Sequence, residues 1–140
     1  MPSLREICLT ELDVVRIEAL LHDTRLRAPT ERPSIDALED RLDAARVVHQ
    51  SSIDAHVVTM NSVVVLTDCA NSGETELTLV YPKDADPERA RVSVLSPMGR
   101  ALIGAHVGDR LRITIPGQQD REFIVVAVTY QPEANGRFDL

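Results

Sequence analysis

At His56 the sequence changes period. Upstream, apolar residues recur every three or four positions, as one buried helix face requires; downstream they alternate and are rich in β-branched Val, Ile and Thr, as half-buried strands require. A chain of 140 residues that makes this switch once belongs to the α+β class, a helical part followed by a sheet part. Its length fits one average domain, or a small domain of about 85 residues carrying a helical appendage.

In the helical part, Thr10 is placed to cap ELDVVRIEALLH, with Glu11 and Asp13 in the first turn, where carboxylates favour the helix dipole. Val14, Ile17 and Leu21 fall on one stripe, with Leu20 beside them. After the loop DTRLRAPTERP, Ser34 is placed to cap IDALEDRLDAARVVH, whose Ile35, Leu38, Leu42 and Ala45 keep the 3,4,3 spacing of a coiled-coil seam. The expectation is an antiparallel helical hairpin, a short coiled coil over residues 1–55, about 20 Å long at 1.5 Å per residue. A hairpin this short relies on one narrow seam, so it is expected to be semi-independent of a more stable sheet domain at residues 56–140.

In the sheet part, HVVTMNSVVVLTD, ETELTLVYP, RVSVLSP, DRLRITIP and REFIVVAVTYQP read as strands, with NSGE at 71–74 and PGQQD at 116–120 as turns. Between RVSVLSP and DRLRITIP, Ser96 followed by Pro97 has the form of an N-cap and N1 pair, and MGRALI supplies two turns of helix. An antiparallel sheet with one short helix is the predicted architecture.

This helical stretch also holds Gly99, Gly104 and Gly108, and the spacing of the first two is that of a phosphate-binding loop. Such a loop needs Lys and then Ser or Thr directly after its second glycine, whereas Ala105 and His106 stand there. Gly104 reads instead as a helix C-cap at positive φ, and Val107-Gly108-Asp109 as the turn into the next strand.

Composition narrows the function further. With 22 Asp and Glu against 15 Lys and Arg, a net charge of -7 argues against a protein that tracks a nucleic-acid backbone. No window of the sequence approaches the uninterrupted apolar length of a membrane span, and MPSLREICLT lacks the layout of a secretory signal, so the expected location is the cytoplasm. Cys8 and Cys69 have no Cys or His nearby at metal-ligand spacing and are expected to be reduced, packed thiols; no metal or cofactor is expected. His22, His49, His56 and His106 are scattered, and no nucleophile with a supporting base is visible, so the chain is not expected to be an enzyme. Asp36, Asp40 and Asp43, with Glu39 adjacent, share a face of the second helix and read either as a surface for a cationic partner or as a solvated face.

RVSVLSPMGRALIGAHVGDRLRITIPGQ resembles the signature of the C-terminal, FKBP-like domain of the bacterial Gre transcript-cleavage factors: Ser-Pro, then Ala-Leu-Ile, then Val-Gly-Asp and Pro-Gly. VVTMNSVV at 57–64, LVYP at 79–82 and YQPEANGRFDL at 130–140 narrow the resemblance to the Rnk family, regulators of nucleoside diphosphate kinase. The resemblance implies a non-enzymatic regulator of transcription that binds RNA polymerase at its secondary channel, in competition with Gre factors. It implies docking through Leu95, Ser96, Pro97 and Met98, with Met98 equally readable as a core residue, and a hairpin tip formed by Asp23, Arg25, Arg27, Glu31 and Arg32. Gre factors carry acidic residues on a far longer coiled coil, where they help hold a catalytic Mg²⁺. The short, Arg-rich tip of this chain departs from that pattern, so stimulated transcript cleavage is not expected. Any effect on nucleoside diphosphate kinase is expected to be indirect, with direct action on the kinase or another protein as the alternative. An FKBP-like fold also invites a prolyl isomerase reading. The chain has no Trp, and only Tyr81, Tyr130, Phe123 and Phe138 are available to build an aromatic pocket.

Overall fold

The computed structural model describes residues 7–114 and 117–137. Ile115, Pro116 and Phe138, which figure in the readings above, lie outside the described residues, as do Met1–Glu6 at the start of the chain.

The chain enters through a short strand, β1 (Cys8–Thr10), which runs directly into helix α1 (Glu11–Arg27). Thr10 caps α1 as expected, its side-chain oxygen accepting the Asp13 N–H at 3.0 Å. The helix runs past His22 because DTRLR contains no breaker and ends in good helix formers; its 17 residues span about 26 Å. The return is a 3-10 turn, Pro29–Glu31, and helix α2 (Arg32–Asp43) begins before Ser34. Ser34 is therefore not the cap, and no side chain caps α2; Pro33 lies in its first turn, where the missing N–H costs nothing. The long loop expected between the helices is thus a tight turn.

α2 also ends earlier than its pattern indicates. Arg46–Val48 forms strand β2, which pairs in parallel with β1. Two consecutive β-branched residues, Val47 and Val48, favour this once a strand lies within reach.

The remaining strands are β3 (Val63–Asp68), β4 (Glu74–Val80), β5 (Arg91–Ser93), β6 (Arg110–Ile113) and β7 (Arg121–Tyr130), in the order β5-β4-β3-β7-β6. Val57–Ser62 precedes β3 as a buried turn rather than a strand, with Asn61 at φ 67. The sheet is antiparallel except for β4 and β5, which are parallel, correcting the expected all-antiparallel sheet. Two 3-10 turns, Pro82–Asp84 and Pro87–Arg89, carry the chain back so that β5 re-enters in the direction of β4. Helix α3 (Pro97–Leu102) packs against β4 and β5 at one end of the strand order and against β6 at the other.

The helical and sheet parts share one buried core. Ile17, Leu21, Ile35, Leu38 and Leu42 belong to the same buried cluster as Met60, Leu66, Leu102 and Ile103. The seam of a hairpin this short leaves most of each apolar stripe uncovered, and the stripes bury the remainder against the sheet domain. One backbone link reinforces the join, Cys8 N–H donating to Gly104 O at 3.2 Å, while Arg46 N–H donates to Ile7 O at 2.7 Å and ties the two ends of the helical part together beside the β1/β2 pair. Gly104 has φ +81, and a Cβ there would meet Ile7 Cγ2 at 2.2 Å, so glycine serves both the C-terminus of α3 and the crossing of β1. Both cysteines are unbridged, but Cys69 is exposed in the turn after β3, so the expected packed thiol does not hold there.

Candidate functional site

The Ser96-Pro97 stretch is held from both sides. The Ser96 hydroxyl donates to Ser93 O at 2.7 Å and accepts the Gly99 N–H at 3.0 Å, which caps α3. The Arg100 guanidinium folds back to donate to Leu95 O at 2.7 Å. Gly99 lets α3 lie directly on the backbone of β5, since a Cβ there would sit 1.9 Å from Ser93 O.

Leu95, Ser96 and Pro97 form one wall of a groove of about 1330 Å³. Arg16, Leu20, Thr24 and Arg27 of α1 line it as well, together with Asn61 and Tyr81. Asp23, Ala28 and Glu31 close the end nearest the hairpin turn. The structure therefore gathers two groups of expected site residues, the Ser-Pro segment and part of the tip, around one cleft. Met98 does not line it and packs instead against the hydrophobic core. Arg25 and Arg32 are directed elsewhere, to Glu39 at 2.6 Å and Asp36 at 3.8 Å.

Charge at the tip is arranged in pairs. Arg27 Nε donates to Asp23 Oδ1 at 2.8 Å along the helix, and the Glu39 carboxylate raises the pKa of Arg25 through their hydrogen bond. Among the described residues, no three His, Cys, Asp or Glu side chains converge as a metal site. Asp36, Asp40 and Asp43 are exposed on α2.

Beneath the groove lies Asp13, fully buried at the junction of hairpin and sheet. Its Oδ2 accepts the Met60 N–H at 3.0 Å, while Oδ1 has no hydrogen-bond partner among the described residues. Burial pushes its pKa up to about 6; the Glu133 charge acts in the same direction, and the Met60 N–H and Arg16 oppose it. Burial likewise raises the pKa of the Tyr81 hydroxyl above its ordinary value. Glu133 is itself buried and accepts from Thr59 Oγ1 at 2.7 Å. The sequence pattern gives Asp13 a role toward the helix dipole alone. The available signal was its place at i-4 from Ile17 and i-8 from Leu21, a carboxylate on the buried stripe.

Comparison with known proteins decides the family. The family model described as "Transcription elongation factor, GreA/GreB, C-term" matches residues 53–130. The Escherichia coli K12 protein named "Regulator of nucleoside diphosphate kinase" is 35% identical over 132 residues, 94% of this chain and 95% of that protein. The chain belongs to the Rnk family, a relative of the GreA/GreB factors. A solved structure titled "Prokaryotic transcription elongation factor GreA/GreB from Nitrosomonas europaea" superposes with a TM-score of 0.74 at 39% identity, covering 89% of this chain and all of that one. The chain is also similar to the elongation factor GreA of Acetivibrio thermocellus, at 37% identity, over 56% of its own length and 50% of that protein. These relatives are named as regulators and elongation factors rather than as enzymes. Among the described residues, no helix is long and apolar enough to cross a membrane.

Proposed function

We propose that this Rnk-family chain regulates transcription by binding RNA polymerase at its secondary channel, without stimulating transcript cleavage. The observation that carries the reading is the shared groove: Leu95, Ser96 and Pro97 line the same cleft as Asp23, Arg27 and Glu31, so one partner surface can engage the Ser-Pro segment and the tip together. Docking is assigned to Leu95, Ser96 and Pro97, and Met98 acts from behind by packing. In this reading residues 56–140 form an FKBP-like Gre-type half, and residues 1–55 form a short coiled-coil hairpin that enters the channel mouth.

The tip favours occupancy over catalysis. Its arginines accompany Asp23 and Asp36, and a cation-rich end is a poor carrier of Mg²⁺. A cleavage assay on backtracked polymerase complexes is expected to show no stimulation; strong stimulation overturns this part of the reading. Proline isomerisation is not proposed, because Phe123 is a buried core residue and does not border the groove.

The name of the Escherichia coli relative favours a second reading, direct action on nucleoside diphosphate kinase. We assign the kinase link to gene expression, acting in the cytoplasm alongside polymerase. Parallel pull-downs with purified polymerase and purified kinase separate the two: capture of polymerase alone supports the first reading, and capture of the kinase alone supports the second.

A further inference from the structure

We infer that Arg41 is a positioning residue for docking, locking α2 to the C-terminal end of α3 so that the hairpin tip and the Ser96-Pro97 segment are presented as one rigid surface. The inference rests on the polymerase-docking reading. Arg41 Nε donates to Ile103 O and its Nη2 to Ala101 O, both at 2.8 Å. These carbonyls close the last turn of α3, where intrahelical donors have run out, and the planar guanidinium fork matches two neighbouring acceptors. Burial lowers the pKa of the guanidinium to about 10, and the charge of Asp109 opposes that shift.

The consequence is geometric. Apolar contacts between hairpin and sheet are non-directional and fix that the two pack, whereas paired hydrogen bonds also fix the angle. α3 is six residues long and is pressed onto β5 at Gly99, so whatever holds its C-terminus also holds Ser96 at its other end. Arg41 thereby links the helix that returns from the tip to the helix that begins at the docking segment. Loss of such pre-organisation weakens binding without removing a contact to the partner.

The test uses the full chain with Cys8→Ala and Cys69→Ser, spin-labelled at Leu26→Cys on the tip and Val126→Cys on the sheet, both exposed positions. Arg41→Gln is expected to broaden the distance distribution between the labels while the chain still melts in one transition. Affinity for core RNA polymerase is expected to fall about tenfold, the scale of a modest coupling. Arg41→Lys, which keeps the charge but not the fork, is expected to lie between and carries the test if the Gln variant does not fold. In a Ser96→Glu background, Arg41→Gln is expected to cost no further affinity, since its effect passes through docking. Unchanged distances, or an affinity loss that adds fully to that of Ser96→Glu, overturns the inference. A parent chain with no affinity for polymerase overturns the docking reading itself, and unaltered distances in the variants then separately refute the locking role.

Discussion

The junction between hairpin and sheet and the tip of the hairpin use the same charged residue types to opposite ends. At the junction Asp13 is fully buried, Glu133 nearly so, and Arg41 is committed to two backbone carbonyls. At the tip Asp23 and Arg27 form a pair with side chains 56% and 80% exposed, where solvent screens the attraction. Charge at the junction fixes geometry, because a misplaced group there is costly. Charge at the tip contributes little to folding and is open to a partner.

This contrast is broken most severely at the core beneath the junction. Leu38→Asp places an unpaired carboxylate at a position with 0% exposure in the shared cluster, at a cost above about 4 kcal/mol, a large part of a domain's stability. Urea unfolding followed by circular dichroism and amide NMR is expected to show the whole fold lost; a sheet that persists without its hairpin would restore two independent halves.

Asp13 sharpens the comparison through pH. Its folded pKa lies above the unfolded value, so ionisation costs the folded state. Its contribution to stability is greatest below about pH 4, declines as pH rises to about 6, and is level above, for a total of about 3 kcal/mol. Asp13→Asn is expected to remove that decline, giving a flatter or rising stability curve from pH 4 to 6. A variant curve parallel to that of the parent chain would show that Asp13 titrates normally. Gly99→Ala follows, because its new methyl collides with the backbone of β5; a loss of about 2 kcal/mol in chemical denaturation is expected. The smallest effect belongs to the tip: Asp23→Ala is expected to change stability by less than about 0.5 kcal/mol. A loss several times larger would mean the tip is part of the folding core.

The sheet half was more legible in the sequence than the hairpin half. Period-two runs and turn residues placed β4, β5 and β7, and Ser96, Thr10 and Gly104 declared their capping roles through local chemistry. What local pattern did not show depends on distant partners. Val47 and Val48 continue a helical pattern until β1 offers a strand, and Arg41 looks like a solvated helix residue until α3 places two carbonyls beside it. The groove was legible only as two separate motifs, since their meeting depends on α1 running on to Arg27 and on the tight turn at Pro29–Glu31.

The most direct test of the central claim is equilibrium binding of the purified chain to core RNA polymerase, with a Ser96→Glu/Pro97→Ala variant alongside and a Gre factor as competitor. The account predicts binding at micromolar concentration or tighter, lost in the variant and displaced by the Gre factor. Absence of binding, or binding that neither the variant nor the competitor alters, would contradict it.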